Sequence, residues 1–239
     1  MAIFHWPYLY ARTIETFRYE GPYYVFLRLL PICFSPFGSL GLLKFYQKDL
    51  TEPLKQLRTS VEIEICQAGE CNIDELIRLV QIHYAHSRDL EFYAKLGIRD
   101  TILQRFQRGA RCFVAKIGGE IVHYNWIFFH LEETDPGLGR FLRLEEDEAL
   151  CNDGFTAEPW RGKSIHPAVN NGMLLFLQQA GYRRAFTIAG MQNKRSENGL
   201  YRIGWDYCGS MIYFTPRGKE KGWIIHVSGP LDRFMGEPN

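Results

Sequence analysis

Residues 157–169 read AEPWRGKSIHPAV. The run joins a strand-like segment to a helix-like one and sets two cations, Arg161 and Lys163, on either side of Gly162. Pro159 ends the incoming strand, because proline cannot donate to a ladder. Pro167 suits a first helical turn, where its missing N–H would be unpaired in any case. Ser164 is the expected N-cap. Such a loop offers free N–H groups, the positive end of a helix and two cationic side chains in one place. A diphosphate needs that combination, since amide dipoles and cations offset its charge while the backbone comes close. Gly162 has no Cβ to obstruct the approach. The alternative is a surface turn with two solvated charges, and the loop alone does not decide.

A second cluster, NKRSENGLYRIGW, occupies 193–205, one strand further on. The order strand, RGK loop, helix, strand, then an N-x-x-S helix ending in Gly-aromatic resembles the GCN5-related N-acetyltransferase (GNAT) superfamily. The resemblance covers about 61–214 and leaves 1–58 outside. Arg161 takes the first place of the Q/R-x-x-G-x-G/A loop motif, while Ser164 and His166 stand where its two glycines would be. Asn193, Ser196, Gly204 and Trp205 match the later pattern, with Trp for the usual Phe. The loop PWRGKSIHP is also similar to a branch of the superfamily found near polysaccharide biosynthesis genes, with His166 in the place of another aromatic residue.

The resemblance implies acetyl-CoA, or another acyl-CoA, as co-substrate. The backbone of Phe155, Thr156 and Ala157 would lie along the thioester and its arm. The loop Arg161, Gly162, Lys163, Ser164, Ile165 and His166 would hold the pyrophosphate, and Asn193 and Ser196 would pack along the pantetheine. Acyl transfer to an amine needs a held thioester, an amine that loses a proton, and a proton for the leaving thiolate. Asp153, on the strand entering the loop, is the expected base. Relatives place a tyrosine acid seven residues after the matching Asn; here that position is Leu200, and Tyr201 follows it. Tyr201 is the expected acid, with Gly199 allowing a local distortion of the helix. His123 and Trp126 on the preceding strand are expected to line the acceptor pocket. The acceptor implied is a small primary amine, with an amino sugar or nucleotide-linked amino sugar suggested by the narrower likeness. A non-catalytic acyl-CoA-binding or assembly protein on the same fold is the alternative.

These residues must be positioned by strands and helices that the rhythm of the chain outlines. VEIEIC alternates with period two, as a strand does. NIDELIRLVQIHYAH has helical apolar spacing, with Asn72 and Glu75 placed as a capping box. Helical segments are expected near 89–108, and Gly118-Gly119 joins two strand-like runs as a tight hairpin. EETDPGLGRFLRLEED looks like an exposed excursion, and Gly154 marks a bulge in the strand over 148–157. A helix over 166–180, a strand RAFTIAG, a short helix over 193–203 and strands WDYCGSMIYF and GWIIHVS complete the pattern. The fold expected is α/β (α+β): a mixed, mostly antiparallel sheet flanked by helices over 59–239, with an aromatic-rich helical extension over 1–58.

Composition narrows the partners. The 239 residues are 46% apolar and 23% charged, with 28 basic and 27 acidic side chains for a net charge of +1. That balance gives no support to nucleic-acid binding. The six cysteines form no CxxC pair, so no metal is expected, and they read as small buried hydrophobes of a reducing compartment. The apolar run YYVFLRLLPICF is broken by Arg28 and Pro31 and cannot span a bilayer as a regular helix. A cytoplasmic protein is expected. The extension over 1–58 would pack on its own domain or on a second copy in a homodimer, with peripheral contact to a membrane surface as the other reading.

Overall fold

The structure, a computed structural model, describes residues 6–55, 57, 59–84, 97–130, 144–219 and 222–229. Most of the excursion EETDPGLGRFLRLEED, over 132–143, and the first part of the helical stretch expected near 89–108 lie outside these residues. Eight strands form one sheet in the order β2-β3-β4-β5-β6-β1-β7-β8, and the described chain carries six α-helices. The fold class is the one the sequence predicts, α/β with a mostly antiparallel sheet.

By contact density the chain divides into two units. The larger spans Lys48–Thr187 and Arg202–Gly204 among the described residues. It holds β2 (Glu64–Gln67), α3 (Ile73–Tyr84), α4 (Ile98–Gln107), β3 (Arg111–Ile117), β4 (Glu120–Phe128), β5 (Glu148–Thr156), α5 (Ile165–Gln179) and the start of β6 (Arg184–Gly190). Strands β2 to β5 pair antiparallel in sequence order. The β3–β4 turn is made by Gly118 (φ 59°) and Gly119 (φ 87°). Two successive positive φ values are what a type I′ hairpin requires, and glycine adopts them without strain.

Alternation along β4 shows which helix covers which face. His123 meets His166 of α5 at 5.3 Å between ring centroids. Its neighbour Tyr124 meets His83 of α3, and Trp126 meets Phe106 of α4. Consecutive strand residues point to opposite faces, so α5 covers one face and α3 and α4 the other. Covered on both sides, β4 is buried from Val122 to Phe128. Such a strand reads as a continuous apolar run and not as an alternation.

The smaller unit contains α1 (Trp6–Tyr19), α2 (Pro22–Phe34), β1 (Gly38–Asp49) as far as Gln47, the end of β6, α6 (Lys194–Ile203) as far as Tyr201, β7 (Asp206–Pro216) and β8 (Trp223–Ser228). Leu27, Leu40 and Leu42 form a core with Leu30, Met191, Ile212 and Phe214 packed on it. The sequence placed 38–49 in a helical extension; the structure makes it a strand instead, paired antiparallel with β7. The cause lies in its glycines, which read as breakers. A Cβ on Gly38 would sit 2.2 Å from the Thr215 carbonyl oxygen, and one on Gly41 would enter the Tyr213 ring. They are there because the partner strand comes close. No helix among the described residues is long and apolar enough to cross a membrane.

Replacing Gly38 by valine must therefore push β1 away from the β7 backbone. Gly38→Val is expected to destabilise the protein by about 1–3 kcal/mol. Thermal melts check this, and an unchanged midpoint contradicts the packing described.

Candidate functional site

The parallel ladder between β5 and β6 is short. It pairs Glu148, Ala149 and Leu150 with Arg184, Ala185 and Phe186. Beyond Leu150, β5 runs on to Thr156 and keeps its antiparallel pairing with β4, where Tyr124 faces Phe155 and His123 faces Thr156. The strand then enters a 3-10 turn over Glu158–Trp160, and the loop turns into α5 at Ile165. Ala157, expected to meet a ligand with its backbone, instead donates its N–H to the Val122 carbonyl at 2.9 Å. Its carbonyl accepts from the Trp160 N–H.

The loop itself has an unusual backbone. Gly162 has φ 78° and Ser164 has φ 59°, so two left-handed residues flank Lys163 just before the helix. Ser164 sits at the N-cap position, but its side chain makes no capping hydrogen bond, contrary to expectation. In the left-handed region its hydroxyl is not aimed at the first turn as that of an extended N-cap residue is. Alternating handedness of this kind turns successive N–H groups toward one side, as in the backbone nests that hold anions. Among the described residues, the N–H groups of Gly162 to His166 find no backbone acceptor. A Cβ on Gly162 would meet nothing within 4 Å, so the space over that residue is open. Arg161 donates through Nε to the Thr156 carbonyl at 3.1 Å and lies over the Phe155 ring. The Lys163 ammonium lies over Trp160 at 4.7 Å. The two cations are thus held at the mouth of the loop by contacts of their own.

The bulge expected at Gly154 is present. Trp126 pairs with Asn152 and Tyr124 with Phe155, so Asp153 and Gly154 together oppose Asn125. Asp153 has φ 58°, a left-handed value that Asp tolerates better than most residues. The bulge sends its carboxylate into an ion pair with Arg105 of α4, each side chain 10% exposed. Tyr84 donates its hydroxyl to the same carboxylate at 2.5 Å, and His83 Nδ1 stands 4.0 Å away. Burial alone would raise the carboxyl's pKa, but Arg105, His83 and the Tyr84 hydroxyl outweigh it and hold it below the usual range. A carboxylate gripped in this way is a poor proton acceptor, so the role of base expected for Asp153 does not suit its surroundings. Arg105, Tyr84 and His83 carried no motif, and the sequence reading missed them. His83 also stacks on Phe155 at 4.4 Å and reaches the Tyr124 hydroxyl at 2.7 Å.

His123 and Trp126, expected to line an acceptor pocket, are both fully buried. Trp126 packs against Phe106 with the Arg105 guanidinium over its ring. His123 bonds through Nδ1 to the Thr156 hydroxyl at 2.8 Å, and its Nε2 is buried without a partner among the described residues. His166 reaches Asn170 within α5 at 3.2 Å. Burial lowers the pKa of both rings, that of His166 to about 4, and for His123 the nearby His166 adds to the effect. Two neutral imidazoles therefore underlie the loop.

The α6 cluster belongs to the smaller unit. Asn193 caps that helix, its Oδ1 accepting from the Ser196 N–H at 3.1 Å. Leu200 is buried and Tyr201 is 48% exposed, packed edge-on against Tyr46. The Tyr201 hydroxyl donates to Glu197 at 3.4 Å, and Glu197 is held by the Lys44 ammonium at 2.7 Å.

No protein-family model matches the chain, and no curated protein matches it. Among solved structures it is similar to an acetyltransferase of the GNAT family from Colwellia psychrerythraea, with a TM-score of 0.52 and 12% identity. The likeness covers 79% of this chain and 61% of that one. A protein of Novosphingobium aromaticivorans assigned to the same family gives a TM-score of 0.50 and 10% identity over 74% of this chain and 64% of that one. The chain thus spans less than two thirds of either protein. At such identities the likeness is one of fold, and the fold is that of GNAT acetyltransferases.

The histidine pair makes stability depend on pH. In the unfolded chain the imidazoles bind protons near pH 6.5, whereas in the folded state His166 does so only near pH 4. The unfolded state therefore holds more protons between these values, and stability falls as pH drops from 6.5 toward 4. Thermal midpoints across that window should decline, and His166→Gln should make the decline shallower. Equal slopes for the two proteins contradict the assignment.

Proposed function

We propose that the chain is an acyl-CoA-dependent N-acyltransferase acting on a small primary amine, with acetyl-CoA as the donor. The observation that carries this is the loop backbone: left-handed Gly162 and Ser164 around Lys163, directly before the 15-residue helix α5. Open N–H groups, a helix N-terminus and two oriented cations fit a pyrophosphate. Arg161, Gly162, Lys163, Ser164, Ile165 and His166 would hold that group. Ser164 takes a left-handed φ of 59°, a region glycine enters without strain, which supports a glycine-like backbone at this place. The Phe155–Thr156 end of β5, past the β6 ladder, would face the thioester arm.

The reaction forms a C–N bond between amine and acyl carbon and breaks the acyl C–S bond. The amine gives up a proton, and the departing thiolate takes one. Tyr201 as the thiolate's proton source, and Asn193 and Ser196 along the coenzyme, stand as proposals on residue type. The amino-sugar acceptor is likewise a proposal, resting on the PWRGKSIHP likeness. The ion pair that engages Asp153 favours a second reading, a CoA-binding protein without transfer activity.

One set of measurements separates these. Calorimetry should show CoA binding by the full chain. Gly162→Val should weaken it at least tenfold, because valine resists a φ of 78°. Ser164→Gly should leave it unchanged. Release of free thiol from acetyl-CoA with a panel of amines identifies an enzyme, binding without release identifies the second reading, and failure to bind CoA overturns both.

A further inference from the structure

One flank of α2 is apolar and uncovered. Tyr23, Phe26, Leu30 and Phe34 recur at i, i+3, i+7 and i+11, the spacing of a single helix face. Leu30 packs on the core of the smaller unit, whereas Tyr23, Phe26 and Phe34 are 63%, 59% and 41% exposed. The stripe does not stop with the helix. The Phe34 ring meets Phe214 of β7 edge-on at 6.1 Å, and Phe214 meets Trp223 of β8 at 6.4 Å. Phe37, just past the helix, accepts at its carbonyl from the Arg217 N–H at 2.8 Å. Phe37 and Trp223 are 70% and 66% exposed. Segments from opposite ends of the chain thus share one aromatic surface. An apolar patch of this kind marks a contact site.

Charge selects the partner. From Gly21 to Leu43 the chain carries a single charged residue, Arg28. Its guanidinium turns inward to the Gln192 carbonyl at 3.4 Å, so the flank itself bears no charge. The turn after β7 reads RGKEK, three cations to one carboxylate. Arg217 and Lys219 are exposed there, and neither makes an ion pair among the described residues. A second copy seated on the same patch would offer these cations rings and further cations, and no carboxylate among the described residues. An anionic lipid surface suits both parts. Its headgroups neutralise Lys and Arg, and the boundary beneath them takes Trp, Tyr and Phe rings. We propose that the smaller unit rests on an anionic membrane surface through the flank of α2, Phe37 and the β7–β8 turn. The contact is peripheral, since no described helix is long and apolar enough to cross a bilayer. It goes beyond the acyl-transfer reading and does not depend on it.

The probes are vesicles of phosphatidylcholine alone and of phosphatidylcholine with about one quarter phosphatidylglycerol, each sedimented with the full chain. Binding to the anionic vesicles should be at least fivefold tighter, and added salt should erase the difference. Arg217→Glu combined with Lys219→Glu should remove that preference. Phe37→Ser and Trp223→Ser should each weaken binding to the anionic vesicles at least threefold. These positions are all exposed, so the changes spare the core. Ile82→Ser, at an exposed apolar residue of α3 in the larger unit, should leave vesicle binding as it is in the parent. Three results overturn the proposal: no sedimentation with either vesicle, a charge-reversed chain that keeps the lipid preference, or a loss in Ile82→Ser equal to that in Phe37→Ser. A concentration-dependent dimer of the parent that Phe37→Ser dissolves assigns the patch to a second copy and overturns it as well.

Discussion

The bulged middle of β5 depends on one buried ion pair, Arg105 with Asp153. A buried pair rarely adds net stability over well-packed apolar side chains, but losing one partner leaves the other charge stranded. What this pair supplies is position. It links α4 to β5 at the residue where the strand departs from regular pairing, and Tyr84 brings α3 to the same carboxylate. Arg105 also lies over Trp126 and Phe128, so the side chain that neutralises Asp153 covers the β4 core. An aspartate this engaged builds the strand's path. In the proposed reaction the base would then be another group or solvent.

The parts of the fold that follow local rules were legible. Gly118-Gly119 announced its hairpin, RAFTIAG matches β6 residue for residue, and Gly154 marked a real bulge. The losses have specific causes. Gly38 and Gly41 read as breakers because their reason, the nearness of Thr215 and Tyr213, lies more than 170 residues along the chain. His123 and Trp126 read as candidates for a pocket by residue type and by their strand's place beside the loop, yet β4 is covered on both faces. Of the site, the loop was visible through Arg161, Gly162 and Pro167, whereas Arg105, Tyr84 and His83 converge only through the packing of α3 and α4 on the sheet. No spacing rule relates them to Asp153.

The loop's departure from the glycine pattern is compatible with the anion site proposed for it, because of what an anion requires of a backbone. The requirement is a set of N–H groups aimed at one point, and φ sets that aim, not the side chain. Ser164 takes the left-handed conformation at a cost of roughly 1–2 kcal/mol relative to glycine. His166 takes the second glycine's place in another way: its ring turns inward against His123. A cationic imidazole there would face the positive end of α5 as well as the cost of burial, and both favour the neutral form. At neutral pH the positive character of the loop therefore comes from its amides, Arg161 and Lys163. Since Arg161 is tied to Thr156 and Lys163 rests on Trp160, those charges would be oriented in advance in the proposed pyrophosphate site. Less ordering is then left for binding to impose.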